Sequence, residues 1–144
     1  MRSIALGVLV AASIVCCSGS TEPEPRLFRT TLPQPVDQPL PVVLGDETGL
    51  VTGIGPVADP QGDQVQPVAL ADPGDPRAFV ITWLGSPCDK EVALSFKSHE
   101  GGYLLQLAVP QSTGGCPMVG YPRGVRIVSS TAIPVSSIEV TGSG

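Results

Sequence analysis

With 144 residues, the chain is long enough for one globular domain and too short for two of ordinary size once a leader is set aside. Its 17 glycines and 16 prolines exclude a mainly helical protein, because both residues interrupt helices and favour turns. The formal net charge of −5 excludes a nucleic-acid-binding protein, which would need a basic footprint.

The N-terminus has the three-part layout of a secretory signal. Arg2 supplies a positive charge, residues 3–15 are uncharged and mainly apolar, and small polar residues follow Cys17. The apolar run is shorter than the roughly 20 residues that a membrane-spanning helix needs. We therefore predict that residues 1–20 form a signal peptide, a helix outside the fold, and that the protein is exported.

The end of this leader resembles the cleavage motif of bacterial lipoproteins, in which a short apolar stretch directly precedes a lipidated cysteine. The stretch here is Ile14-Val15-Cys16-Cys17. The resemblance implies lipidation of Cys17, or less favourably of Cys16, and membrane contact through the lipid anchor only. The residue before the lipidated cysteine is usually Gly, Ala or Ser, and Cys16 departs from that pattern. The alternative is ordinary cleavage within residues 17–20, with release as a secreted or periplasmic protein.

A proline-rich stretch follows over residues 21–40. Proline fixes its own φ and pushes the preceding residue into an extended conformation, so this stretch is predicted to be a semi-rigid linker outside the fold. It would hold the folded domain away from a membrane surface if Cys17 carried lipid. The interpretation left open beside it is that Arg26-Leu27-Phe28-Arg29 docks on the domain as an edge strand.

Residues 41–144 are predicted to form a single all-β domain. Its central segments place apolar side chains at every second position, which is typical of strands in a sheet with one buried face. The first of these segments puts Phe79, Ile81 and Trp83 on the buried face. The predicted strands are residues 40–44, 49–54, 65–70, 78–84, 91–96, 103–109, 125–129 and 137–140. Their spacing favours a small disulfide-bonded β-sandwich, Ig-like or similar, with a small β-barrel as the alternative.

Cys88 and Cys116 are the two cysteines that lie beyond the leader. In an oxidising compartment they are predicted to form a disulfide that stabilises the domain. A zinc site is disfavoured because four ligands are needed and His99 is the only histidine. The aspartates of the predicted turns, at positions 59, 63, 72 and 75, lack the spacing of a calcium loop. We predict neither a metal site nor a cofactor.

The sequence lacks the residue patterns of common catalytic sites. His99 lies in a predicted hairpin tip, and no nucleophile elbow, phosphate loop with lysine or paired-histidine zinc motif occurs. We therefore predict a non-enzymatic exported domain of the cell envelope with a structural or interaction role. Trp83, Tyr121 and Arg123 are the candidate contacts for a ligand or for an unknown protein partner. The alternatives are a small-molecule or carbohydrate-binding domain, and a hydrolase with an unfamiliar site near His99.

A pattern in the C-terminal half resembles one in small exported bacterial proteins of the lipoprotein type, whose function is unknown. It consists of Trp83-Leu84-Gly85-Ser86-Pro87-Cys88-Asp89, the later Cys116, and Arg126-Ile127-Val128. The resemblance implies a tryptophan-bearing strand, a disulfide and a terminal strand. It carries no catalytic residue with it.

Overall fold

The computed structural model describes residues 19, 24–33, 39–60, 65–110, 114–116 and 120–143. Apart from Gly19, the predicted signal peptide lies outside the described residues, and so do Cys16 and Cys17. The helical structure in the described part of the chain is a single 3-10 turn at Val135–Ser137. No helix there is long and apolar enough to cross a membrane.

Strands dominate the described residues. They are β1 (Arg26–Leu32), β2 (Leu40–Asp46), β3 (Val51–Pro56), β4 (Val68–Ala71), β5 (Ala78–Gly85), β6 (Val92–His99), β7 (Gly102–Ala108), β8 (Tyr121–Ser129) and β9 (Ile138–Ser143). One sheet has the order β1-β2-β6-β7-β9, and the other has the order β3-β8-β5-β4. The sheets pack together without closing into a barrel. The predicted all-β sandwich is therefore confirmed, and the barrel alternative is wrong.

The first strand occupies part of the stretch that was predicted to be a linker. β1 pairs antiparallel with β2 along its whole length, with Arg26 opposite Asp46. Leu32 is buried, Phe28 packs against the core, and Arg26 lies over the Phe28 ring at 5.3 Å. The linker prediction is therefore wrong for residues 26–32, which form an edge strand because their backbone pairs with the open edge of β2 while Phe28 and Leu32 pack with the core.

Two pairs of neighbouring strands in the five-stranded sheet are parallel. β2 runs parallel to β6, and β7 runs parallel to β9. The chain between β2 and β6 contains β3, β4 and β5 of the other sheet, and the chain between β7 and β9 contains β8 of that sheet. The sheets of an immunoglobulin domain are antiparallel, so this sandwich differs from that fold in its strand directions.

Alternate side chains of the facing strands form the core. Phe79, Ile81 and Trp83 of β5 are buried on the face that their period-two spacing predicted. Phe96 of β6 packs against Phe79 with ring centroids 5.8 Å apart, and against Tyr103 at 5.2 Å. Burial of each large apolar side chain stabilises the fold by about 1.5 to 3 kcal/mol relative to its exposure.

The strand directions give the sandwich two distinct ends. One end, which we call the leader end, contains the start of β1 and the β2–β3, β4–β5, β6–β7 and β8–β9 connections. The opposite end, which we call the disulfide end, contains the β5–β6 connection at residues 86–91 and the β7–β8 connection. Of the β7–β8 connection, residues 109–110, 114–116 and 120 are described. The N-terminal segment therefore joins the domain at the end opposite the disulfide.

At the leader end, Arg126 of β8 holds the β4–β5 turn. Its Nε lies 2.5 Å from Asp72 Oδ2, and its Nη2 lies 3.4 Å from Asp75 Oδ2. The Gly74 N–H donates to Asp72 Oδ1 at 2.8 Å. The Arg126 guanidinium, followed by the Gly74 N–H, holds the pKa of Asp72 below its usual range.

Replacing Arg126 with glutamine is expected to raise the pKa of Asp72, because the main cause of its lowering is removed. A carboxyl group whose pKa is lower in the folded protein than in the unfolded chain stabilises the fold at pH values above its unfolded pKa, near 3.8. That contribution is lost as the pH falls through the pKa of the folded state. Compared with the unaltered protein, the Arg126→Gln variant should therefore be destabilised more at neutral pH than at strongly acidic pH. An NMR titration of the Asp72 carboxyl carbon measures the shift. Arg29→Gln, at an exposed position of β1, is the control and should leave the titration unchanged.

Candidate functional site

The structure brings the three predicted contact residues together at the disulfide end. Arg123 lies opposite Trp83, and Tyr121 lies opposite Gly85, in the antiparallel pair of β8 and β5. Residues two apart on a strand project to the same face, so Tyr121 and Arg123 share a face with the core residue Val125. Trp83 and Arg123 are each 3% exposed, whereas Tyr121 is half-buried. Trp83 is thus a core residue, and Tyr121 is the member of the trio that reaches the surface.

Arg123 places a positive charge inside this end of the sandwich. Its Nη2 donates to the Ser86 carbonyl oxygen at 3.1 Å, and its Nε lies 3.9 Å from Asp89 Oδ2. Burial lowers the pKa of the Arg123 guanidinium, and its electrostatic interactions with Asp89 and Tyr121 oppose that shift. A guanidinium stays protonated throughout the physiological pH range, so the site keeps its cation.

Asp89 lies in the turn that carries Cys88 and forms an ion pair with Arg123. Its side chain is 10% exposed, and its Oδ2 accepts a hydrogen bond from the Ser86 N–H at 2.8 Å. The Asp89 N–H in turn donates to the Ser86 carbonyl oxygen at 3.2 Å. A buried ion pair adds little stability over well-packed apolar groups, but loss of one partner leaves the other charge buried. The arrangement therefore positions the turn more than it stabilises the whole fold.

Gly85 makes room for the ion pair. A Cβ added at Gly85 would overlap Arg123 Nε and lie 2.8 Å from Asp89 Oδ2. Real Cβ atoms do not approach other heavy atoms so closely, so either the guanidinium or the carboxylate would have to move. The absence of a side chain at Gly85 is thus what allows Arg123 to turn toward Asp89.

Gly85→Ala is expected to lower the free energy of unfolding by about 2 to 3 kcal/mol, because the added Cβ overlaps the Arg123 side chain and crowds the Asp89 carboxylate. Urea denaturation followed by Trp83 fluorescence measures the loss. Gly55→Ala is the matched control, since it also lies in a strand and an added Cβ there meets nothing within 4 Å. Equal stability of the two variants would contradict the assigned role of Gly85.

The predicted disulfide is confirmed. Cys88 and Cys116 are bonded, with their Cα atoms 6.0 Å apart and a sequence separation of 28. The bond joins the β5–β6 connection to the β7–β8 connection, and each of these connections crosses from one sheet to the other. The disulfide consequently links the two crossovers at the same end of the sandwich.

A small cavity lies beside Arg123. Its volume is about 150 Å³. The lining residues are Leu32, Pro33, Val57, Ala58, Pro60, Pro122, Arg123 and Gly124. Pockets for drug-sized ligands usually measure about 300 to 1,000 Å³. This cavity is smaller than a typical carbohydrate or cofactor would require.

His99 lies at the leader end, away from Arg123 and the disulfide. Its Nε2 is 3.6 Å from Glu100 Oε2 and 3.8 Å from Glu139 Oε2. These residues line an open groove, and Ser137 of the same groove is half-buried and donates its hydroxyl to a backbone carbonyl. The lining of this groove contains no buried Ser, Thr or Cys. In the described parts of the chain, no group of three or more His, Cys, Asp or Glu side chains is placed to hold a metal ion.

Three residues of the disulfide end received no predicted role from the sequence. They are Gly85, Ser86 and Asp89, which position the turn and the ion pair. Asp89 follows Ser86 by three positions, a spacing at which a carboxylate can accept a hydrogen bond from a turn N–H. That local signal could have identified Asp89, whereas the approach of Arg123 depends on the pairing of β5 and β8.

Comparison with known proteins assigns no family. No protein-family model, curated protein or solved structure matches the chain. A functional assignment must therefore come from the geometry of the disulfide end and from the sequence of the leader.

Proposed function

We propose that this chain is an exported lipoprotein of a bacterial cell envelope, and that its β-sandwich is a non-enzymatic structural or interaction domain. The Cys88–Cys116 disulfide is the observation that carries the proposal. Disulfides persist in oxidising compartments outside the cytoplasm and are rare within it. The leader pattern at residues 1–20 supports the same compartment independently, because it has the layout of a secretory signal.

The topology supports a defined orientation for such an anchored domain. A lipid on Cys17 would attach the chain to the membrane shortly before β1, and β1 begins at the leader end. Six of the strands that separate the two ends have seven to nine residues, namely β1, β2, β5, β6, β7 and β8. At about 3.3 Å per residue they would hold the disulfide end roughly 25 Å farther from the bilayer than the leader end.

The disulfide end is then the part of the domain that other envelope molecules meet first. Its two crossover connections are joined by the disulfide, and Ser86 is held by both Arg123 and Asp89. Half-buried Tyr121 lies at the margin of this end. A turn that is held in place before binding loses less conformational entropy when it binds, which favours an interaction role for the β5–β6 connection. Small-molecule binding at this end of the sandwich is less favoured, because the adjacent cavity of about 150 Å³ is small.

Mass spectrometry of the mature protein, isolated from a bacterial host with an intact lipoprotein pathway, tests the proposal. The expected result is an N-terminal Cys17 carrying at least a diacylglyceryl group, in the membrane fraction. Cys17→Ala should move the protein to the soluble fraction or block its processing, whereas the neighbouring Cys16→Ala should retain the lipid. An unmodified N-terminus between residues 18 and 21 would show ordinary secretion and overturn the lipid anchor.

A further inference from the structure

The hydroxyl group of Ser86 contacts both cysteines of the disulfide, one through its backbone and the other through its sulfur. Its Oγ accepts a hydrogen bond from the Cys88 N–H at 3.2 Å and lies 2.9 Å from Cys116 Sγ. A sulfur atom in a disulfide carries no hydrogen and can only accept. Ser86 is therefore the donor of this contact, and its proton points at Cys116 rather than at Cys88.

This contact makes the two sulfur atoms chemically unequal. When a thiolate attacks a disulfide, one sulfur forms the new bond and the other departs as a thiolate. The rate rises as the departing thiolate becomes more stable. A hydroxyl donor stabilises an anionic sulfur more than a neutral one, because hydrogen bonds to ionised acceptors are the stronger ones. The buried Arg123 guanidinium of β8, paired with Asp89, binds the carbonyl oxygen of Ser86 and so helps to hold the serine in place.

We propose that the disulfide is a directional thiol-exchange site, in which Cys88 is the sulfur attacked by a small thiol and Cys116 is the sulfur that leaves. The thiolate of a low-molecular-weight thiol forms a bond with Cys88 Sγ, and the electron pair of the Cys88–Cys116 bond passes to Cys116 Sγ. The small thiol is thereby oxidised to a mixed disulfide, and Cys116 is reduced to a thiolate that the Ser86 hydroxyl holds. Both cysteines are half-buried, so neither is sealed from a molecule of this size.

The exchange would make Cys88 a site of S-thiolation. Once Cys116 is released, the β7–β8 connection is no longer tied to the turn that binds Arg123. The disulfide end would then lose the covalent link between its two crossover connections. This inference concerns the disulfide and does not depend on a lipid at Cys17.

The position of the adduct in the unaltered protein is the first test. The oxidised protein is exposed briefly to reduced glutathione at about pH 8, where a substantial fraction of a thiol with a pKa near 8.5 is ionised. Free thiols are then blocked with N-ethylmaleimide, and the peptides are sequenced by mass spectrometry. The expected product carries glutathione on Cys88 and maleimide on Cys116, in excess over the reverse product. A predominance of glutathione on Cys116, equal amounts of the two products, or no mixed disulfide at all would overturn the proposal.

Substitution of Ser86 is the second test. Ser86→Ala should slow exchange by about three- to ten-fold and reduce the preference for Cys88, because the leaving sulfur loses its donor. Ser86→Thr keeps a hydroxyl and should retain both the rate and the preference. Ser98→Ala removes an exposed serine from β6 and is the matched control. Unchanged rate and preference in a folded Ser86→Ala variant would show that the hydroxyl does not direct the exchange. If that variant does not fold, the adduct position in the unaltered protein still decides the question.

Discussion

Replacing Asp46 with alanine is expected to lower the free energy of unfolding by about 3 to 5 kcal/mol. The side chain is 1% exposed, and its carboxylate accepts hydrogen bonds from the N–H groups of Thr48 and Val51 at 2.9 and 3.1 Å. It also accepts one from the Thr48 hydroxyl at 2.6 Å. Alanine would remove all three acceptor contacts where the chain crosses from one sheet to the other. The Val51 N–H would then be buried without its acceptor, and an unsatisfied buried donor costs more free energy than the loss of both partners of a hydrogen bond.

Urea denaturation followed by circular dichroism measures this loss. Glu47→Ala is the matched control, because Glu47 is the next residue and its side chain is exposed, and it should stay within about 0.5 kcal/mol of the unaltered protein. Asp46→Asn should fall between the two, since its amide keeps one oxygen acceptor but presents an NH₂ group where the second oxygen was. Equal stability of the alanine variants at positions 46 and 47 would show that this turn does not depend on the carboxylate.

Removing the disulfide with Cys88→Ala and Cys116→Ala together should lower the free energy of unfolding by about 3.5 kcal/mol in the chain-entropy treatment of a loop of this length. The bond closes a separation of 28 residues and joins two crossovers, so the unfolded chain gains considerable freedom without it. The double variant avoids the unpaired thiol that either single substitution would leave.

Denaturant melts of the oxidised protein, the chemically reduced protein and the double variant make the comparison. The reduced protein and the double variant should have similar midpoints, both below that of the oxidised protein. A midpoint of the double variant equal to that of the oxidised protein would contradict a stabilising role for the bond. A reduced protein that matches the oxidised one would contradict it independently, because it contains no substitution.

The strand β1 shows where local sequence information was insufficient. Residues 26–32 alternate in the manner of a strand, with Phe28, Thr30 and Leu32 on one side, yet prolines lie nearby in the sequence. Both a linker and an edge strand were compatible with that pattern, because proline disfavours helix in either case. What decides between them is the unpaired edge of β2, which exists only after the sheet has formed.

Strand order and strand direction likewise could not be predicted from the sequence. A buried strand presents alternate side chains to the core whether its neighbour is parallel or antiparallel. The period-two pattern of β6 therefore predicted its buried face and said nothing of its parallel partner β2. The same limit applies to β7 and β9.

The features that could be predicted from the residues alone are local, or are limited to few choices. Period-two spacing determined the buried faces of the central strands, Pro and Gly determined the turns, and two cysteines beyond the leader allowed a single pairing. The tertiary structure alone decided that Arg123 turns inward over Gly85 to Asp89, and that the Ser86 hydroxyl reaches Cys116. Ser86 is 37 positions from Arg123 and 30 positions from Cys116 in the sequence. Sequence periodicity carries no information about such distances, because they are set by how the two crossovers meet at one end of the sandwich.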